Sequence, residues 1–294
     1  MRLFILLCLT LVAFAANSVL GRAAIGNAYI DATSFGLLRL GSGAAMLVAL
    51  CVMRGLPLRQ PWKTSLWGGA SLTLYMVGFA LAYKDLDAGL GALVLFAVVQ
   101  ITMFAWGAVT NQRPGGLQIA GAGMALVGLA YVVWPRDGVS VDLWASFLMG
   151  LSGLGWGIYS LLGRGVKLPV VSTALNFVWA TALVLPIFLI TGGAHVISAP
   201  GVVLAVVSGA VTSGLGYALW YAILPLLTAP VAATVQLLVP IIAILGGALF
   251  LGEAIGLALV IGTVLILGGI AVVALAPKPA AKRVAEGGAN RAAR

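Results

Sequence analysis

The chain has 294 residues, 62% of them hydrophobic and only 8% charged, where an ordinary soluble domain carries roughly 25% charged residues. No soluble core of this size hides so much apolar surface, so the expected solvent is lipid and the chain reads as an integral membrane protein. The net charge of +9 is read as a face lying on anionic lipid, and nucleic acid is not an expected partner.

A spanning strand would alternate apolar and polar residues over about ten positions. Here the apolar runs continue for about twenty residues, the length of a crossing helix. Ten predicted helices follow in chain order, roughly 2–21, 32–53, 65–83, 88–110, 115–134, 143–163, 170–191, 201–221, 227–251 and 254–276. The first starts at Arg2 and carries Ala13-Phe14-Ala15, imitating a signal peptide with its small-residue cleavage site. The residues just beyond belong to an internal repeat, so an uncleaved helix is expected. Cys8 and Cys51 fall inside apolar runs and read as small buried hydrophobes.

Connections are short, and only 277–294, with Lys278, Lys282, Arg283, Arg291 and Arg294, reads as a soluble tail. Loop cations set the topology. With the N-terminus inside, the inner segments hold Arg2, Arg54, Arg59, Lys63, Arg113, Arg164, Lys167 and the tail cations. The outer segments hold only Arg22, Lys84 and Arg136. Both termini are therefore expected in the cytoplasm.

Ser18-Val19-Leu20-Gly21-Arg22 in the first run returns 142 positions later as Ser160-Leu161-Leu162-Gly163-Arg164 in the sixth. Phe35 maps onto Phe177 at the same offset. Gly78-Phe79-Ala80-Leu81-Ala82-Tyr83 answers Gly216-Tyr217-Ala218-Leu219-Trp220-Tyr221, and Gly107-Ala108 answers Gly247-Ala248. Gly121 and Gly128-Leu129-Ala130 answer Gly262 and Gly269-Ile270-Ala271. An offset of five helices is odd, so equivalent helices should point in opposite directions. The expected architecture is all-α, with ten transmembrane helices in two inverted five-helix repeats. Residues 1–138 form the first, 139–276 the second, and 277–294 a basic cytoplasmic tail. Inverted halves are a known carrier architecture.

Asn17-Ser18, Phe35, Arg39, Trp156-Gly157-Ile158-Tyr159-Ser160, Pro240 and Gly247-Ala248-Leu249-Phe250-Leu251-Gly252-Glu253 together resemble the drug/metabolite transporter superfamily. The likeness is to ten-helix exporters of the EamA type and covers residues 1 to about 276. The first half departs from the pattern, with Gln100 at the counterpart of Pro240 and Arg113 at the counterpart of Glu253. Within the superfamily the chain looks most like the amino-acid exporters. The resemblance implies a multi-pass protein of a bacterial-type inner membrane, working on a small-molecule substrate.

Polar side chains in lipid are costly and need a cavity or a partner. The deep ones are Asn17 in helix 1, Gln100 in helix 4 and Gln236 in helix 9. Gln100 and Gln236 lie at similar depths on equivalent helices. They would either face one another over a central cavity or serve as glue between helices. Tyr75, Phe79 and Tyr83 share one face of helix 3, Trp156 and Tyr159 one face of helix 6, and Tyr217 and Tyr221 one face of helix 8. Tyr83 and Tyr221 also suit an interfacial aromatic belt. The expected substrate-binding set is Asn17, Tyr75, Phe79, Gln100, Trp156, Tyr159, Tyr217 and Gln236, with Pro240 as a hinge or a static bend in helix 9. Arg39, well inside helix 2, would either hold a substrate carboxylate or snorkel outward. The Ser65/Gly69 and Gly153/Gly157 pairs are expected to be helix-packing faces, as is Gly41-Ser42-Gly43.

No Asp or Glu lies deep in any predicted span, and the one histidine, His195, falls in a loop. A proton-coupled carrier would want a titratable group at its site, and an intramembrane enzyme a nucleophile with its base. Neither pattern is visible, so no catalytic residue, metal or cofactor is expected. The expected function is a monomeric carrier that exports amino acids or similar small polar metabolites by alternating access, without obligatory proton coupling. The alternative is a proton-coupled exporter of drugs or hydrophobic metabolites.

Overall fold

The computed structural model describes residues 2–109, 115–134, 141–163, 166–190, 196–223, 235–236 and 238–276. They form α1 (Arg2–Gly26), α2 (Ala32–Met53), α3 (Trp62–Ala82), α4 (Ala88–Val109), α5 (Gly116–Val133), α6 (Leu143–Leu162) and α7 (Pro169–Ile190). The eighth predicted span is α8 (Ala199–Val206), a π-helical stretch (Val207–Leu215) and α9 (Gly216–Ile223) in succession, followed by α10 (Leu238–Leu251) and α11 (Leu257–Leu275). Among the described residues eight helical spans are long and apolar enough to cross a bilayer, and two apolar helices, Leu238–Leu251 and Leu257–Val273, are shorter. The ninth predicted span, 227–251, is helical at 235–236 and from Leu238 onward, and 227–234 lie outside the described residues. So do Arg113, Arg136, Arg164, His195 and the tail 277–294.

Helix starts are fixed by side chains that accept from the first free amides. Asp31 accepts from Ser34 N, Asp142 from Ala145 N and Ser198 from Gly201 N. The first helix runs on to Gly26 instead of ending near residue 21. No helix breaker intervenes, and the Arg22 side chain folds along the extra turn over Gly26. The first copy of the repeated pentapeptide therefore lies inside α1. The second straddles the end of α6, where Gly163 is the C-cap.

Two ends of the bundle differ in charge. At one, the α1–α2 and α7–α8 turns join through an Ile30–Ile197 bridge and a bond from Ser198 N to Tyr29 O. Arg22 ties α1 to the α3–α4 turn there, donating to Lys84 O at 2.8 Å and Tyr83 O at 3.3 Å. Asp31, Asp85 and Asp87 sit in these turns, and Glu253 of the α10–α11 turn lies beside Arg22. The α2–α3 and α6–α7 turns meet instead around an open cleft lined by Arg59, Gln60, Pro61, Thr64, Lys167 and Val171.

Glycines let backbones approach closely inside the bundle. A Cβ on Gly121 would lie 2.7 Å from Gly269 O, and one on Gly269 2.5 Å from Gly121 O. Seven residues on, Gly128 meets Leu265 and Ile266, and Gly262 meets Val132 and Gly128 O. Helices α5 and α11 therefore run antiparallel. The same holds for α2 and α7, where Gly41 faces Thr181 and Gly43 faces Phe177. The expected small faces also pack: Gly69 on Trp179 and Ala180 of α7, and Gly153 and Gly157 on Val98 and Thr102 of α4. Besides these pairs, α3 packs on α6 and α7, α2 on the π-helical stretch, and α10 on both α1 and α4. Phe35 and Phe177, matched by the repeat, are both fully buried.

Two stability measurements check this packing. Gly269→Ala should cost about 1–3 kcal/mol through overpacking against backbone, whereas Gly123→Ala, with nothing within 4 Å of the new Cβ, should be neutral or gain up to about 1 kcal/mol of helix propensity. Thermal unfolding in detergent decides, and equal melting points for the two variants would contradict the α5–α11 contact. Burial pushes the Asp31 carboxyl up, but the Thr33 hydroxyl, the Ser34 amide and hydroxyl and the Val196 amide together hold its pKa at about 2, below the ordinary 3.8. Asp31→Ala should therefore cost about 1 kcal/mol of cap stabilisation. That cost is present in full above about pH 4 and fades as pH falls towards about 2. A cost that instead grew on acidification would contradict the bonding seen.

Candidate functional site

In the middle of the bundle, faces of α1, α3, α4, α6 and α9 enclose a small cavity lined by Phe14, Asn17, Ser18, Tyr75, Phe79, Leu95, Phe96, Trp156 and Tyr217. The reason lies in spacing. Phe14, Asn17 and Ser18 are three and four residues apart on α1, as are Tyr75 and Phe79 on α3, so each set shares a face. The rings pack edge-on or tilted: Phe14 on Trp156 at 6.1 Å and on Tyr217 at 5.6 Å, Tyr75 on Trp156 at 5.1 Å, and Trp156 on Tyr217 at 4.8 Å between centroids. The free space is about 20 Å³, enough for one water and for no amino acid.

Five of the expected binding residues meet here: Asn17, Tyr75, Phe79, Trp156 and Tyr217. Tyr159 lies one layer out, stacked on Trp156 at 5.4 Å, its hydroxyl 3.4 Å from Thr173 Oγ1. Gln100 and Gln236 are only partly buried and are not among the cavity-lining residues. Pro240 is buried in the first turn of α10, four residues beyond Gln236. Tyr83 is fully buried under α4, donating to Ala88 O at 3.3 Å, so it belongs to the core. Phe14, Ser18, Leu95 and Phe96 were not singled out as site residues by the sequence. Phe14 and Ser18 carried a signal all the same, since both share a helical face with Asn17.

Asn17 is held by the π-helical stretch. Its Oδ1 faces the hydroxyls of Ser208 at 2.9 Å, Thr212 at 2.6 Å and Ser213 at 3.1 Å, and its Nδ2 donates to Ala13 O at 3.2 Å. The wider π-helical turn gathers these three hydroxyls on one side, and such turns recur at functional sites. No periodicity in Val207–Leu215 marks it in advance.

Arg39 does not snorkel. Its side chain has no exposed surface, because α2 presses its Arg39–Gly43 face onto Gly209 of the π-helical stretch and the side chain turns inward. Nε donates to Ser213 Oγ at 3.1 Å and one terminal nitrogen to Tyr75 Oη at 2.9 Å. The Phe79 ring covers the guanidinium at 4.5 Å and the Tyr75 ring at 5.4 Å, and both rings also line the cavity. The other terminal nitrogen has no hydrogen-bond partner, nor has Trp156 Nε1. Asn176 Oδ1, where α7 crosses Gly68 of α3, is the third buried polar atom in that condition among the described residues.

At the acidic end, Glu253 locks three elements together. Its carboxylate accepts from Ala88 N at 2.8 Å and from Gly89 N at 3.5 Å, capping α4, and lies 3.8 Å from Arg22 Nε. Gly252, with φ of +68°, makes the turn that brings it there. Gly247 leaves the room: a Cβ at that position would overlap the carboxylate. Burial pushes the Glu253 pKa up, opposed by the Ala88 and Gly89 amides and by Arg22. Among the described residues no group of three or more His, Cys, Asp or Glu could hold a metal ion.

Residues 143–275 match the EamA-like transporter family. An uncharacterized protein of Pseudomonas aeruginosa is 44% identical over 281 residues, spanning 94% of this chain and 96% of the relative. A protein of known crystal structure shares the fold with a TM-score of 0.64 at 22% identity, over 91% of this chain and 98% of that one. Residues 143–275 therefore carry an EamA-like transporter family domain, in a chain whose described helices include eight long and apolar enough to cross a membrane.

Proposed function

We propose that this protein exports amino acids or similar small polar metabolites by alternating access of two inverted five-helix halves, without obligatory proton coupling. The observation that carries the reading is the cavity at Asn17, Tyr75, Trp156 and Tyr217, walled by helices from both halves of the chain. Inversion is supported by antiparallel packing of α5 on α11 and of α2 on α7, the helices the repeat makes equivalent. The Gly121–Gly269 and Gly128–Gly262 contacts exchange with one another when the halves are swapped, as a twofold relation requires. Cytoplasmic termini are supported by the cluster of Arg54, Arg59, Lys63 and Lys167 at the end opposite Asp31, Asp87 and Glu253. On that reading the Glu253–Arg22 lock closes the outer end, and substrate arrives from the basic cleft.

A second reading, the proton-coupled exporter of hydrophobic metabolites, draws on the six aromatic rings around the cavity. Against proton coupling stands the lack of any Asp, Glu or His among the described residues lining it.

Reconstituted vesicles test both. Labelled amino acids should enter proteoliposomes faster than empty liposomes, and an imposed pH gradient should add no concentrative uptake beyond the substrate's own titration. Trp156→Ala should lower flux about tenfold, the equivalent of about 1.4 kcal/mol of binding, while Trp67→Ala, 68% exposed on α3, should leave it unchanged. No flux for any amino acid or small polar metabolite would end the carrier reading. Concentrative uptake driven by the proton gradient would favour the second.

A further inference from the structure

Arg39 is a permanent cation in a bundle bounded by lipid, with no carboxylate against it among the described residues. All the described acids lie in turns at the far end of helices or at the α6 start: Asp31, Asp85, Asp87, Asp142 and Glu253. A buried charge is normally paired, because leaving it alone forfeits its hydration without return. Here the compensation is partial. Ser213 and Tyr75 take two of its donors and the Phe79 ring faces its plane, yet one terminal nitrogen has no acceptor. Trp156 Nε1, a group that can only donate, is also without an acceptor. Its ring stands 5.1 Å from that of Tyr75, the residue that holds Arg39.

Two unsatisfied donors, one of them charged, therefore bracket Tyr75 at the cavity wall. Asn17 Oδ1, on the same cavity, already faces three hydroxyls. Both donors suit an anionic acceptor with two oxygens. A cleft at the opposite end is lined by Arg59 and Lys167, which would raise the local concentration of anions.

We propose that Arg39 and Trp156 form the carboxylate subsite of this transporter, so that its substrates are zwitterionic or anionic carboxylates and never simple amines. The inference rests on the carrier reading above and deepens it. The carboxylate takes one bond from the free Arg39 terminal nitrogen and one from Trp156 Nε1, once the Phe79 ring swings off the guanidinium and the cavity widens. The side chain then lies among Phe14, Phe96 and Tyr217.

The test uses the full-length protein in detergent, with binding read by calorimetry. The twenty common amino acids are screened first. For those that bind, the matching amide, the decarboxylated amine and the deaminated acid are compared with the parent. Amino acid and deaminated acid should bind, and amide and amine should bind about ten- to a hundredfold more weakly, the span of a charge-assisted hydrogen bond. Arg39→Gln should erase that difference, and Arg39→Lys should restore only part of it, since lysine keeps the charge and loses the planar fork. Trp156→Phe keeps a ring, removes the donor, and should weaken carboxylates about three- to tenfold while sparing amides. It also serves if Arg39→Gln fails to fold, which its melting point reveals. Amides or amines binding as tightly as the parent amino acids would overturn the proposal. So would unchanged carboxylate preference in folded Arg39→Gln or in Trp156→Phe. Proteoliposomes that move amines or uncharged metabolites but no carboxylate would overturn it and leave the carrier standing, whereas no flux and no binding of any kind would overturn both.

Discussion

A guanidinium with no exposed surface, in a bundle whose outside is lipid, constrains everything packed around it. Arg39 reaches Ser213 because the π-helical stretch turns that hydroxyl inward, and it reaches Tyr75 because α3 presents the Tyr75–Phe79 face to α2. Ser213 in turn meets Asn17, which also gathers Ser208 and Thr212. One chain of polar contacts thus fixes α1, α2, α3 and the eighth span relative to one another. Gly43 and Gly209 permit the approach, since a side chain on either would strike Phe177 or the Arg39 backbone. Polar groups are expensive in lipid, so the arrangement is both a constraint on folding and the most chemically specific place in the molecule.

The rest of the fold divides into contacts built to hold and contacts built to part. The glycine seam of α5 on α11 is backbone-close and apolar, and that of α3 on α7 is backbone-close and carries no titratable group. The lock at Glu253 is different in kind. It joins α1, α4 and the α10–α11 turn through one half-buried carboxylate and amides that water could satisfy as well. Elements that move are drawn from such low-cost contacts, and this one stands at the end of the bundle away from the basic cleft.

Most of the fold was legible because composition and run length leave a helical membrane protein as the one solution. The first helix ran past its expected end because nothing between residues 21 and 26 breaks a helix, and Arg22 found carbonyls on the next turn over. Half of the site was legible for a similar reason: Asn17 and the aromatic faces of helices 3, 6 and 8 are costly or bulky enough to announce an interior. Helical spacing tells which residues share a face but not which neighbour that face meets. Arg39 was therefore open to two readings, and only the close seat of α2 on Gly209 turned it inward. The depth of Gln100 and Gln236 was readable and their surroundings were not. The gathering of Ser208, Thr212 and Ser213 required a π-helical turn, for which a sequence run carries no periodic mark.

The central claim is that one interior cavity serves both faces of the membrane in turn. Ser18 lines that cavity and is nearly isosteric with cysteine. Ser18→Cys is placed in a chain whose exposed Cys8 and buried Cys51 have been replaced by serine, and labelled with a membrane-impermeant thiol reagent in intact cells and in inverted vesicles. The account predicts labelling from both faces, slowed on both by transported substrate. Labelling from one face alone, or from neither, would contradict it.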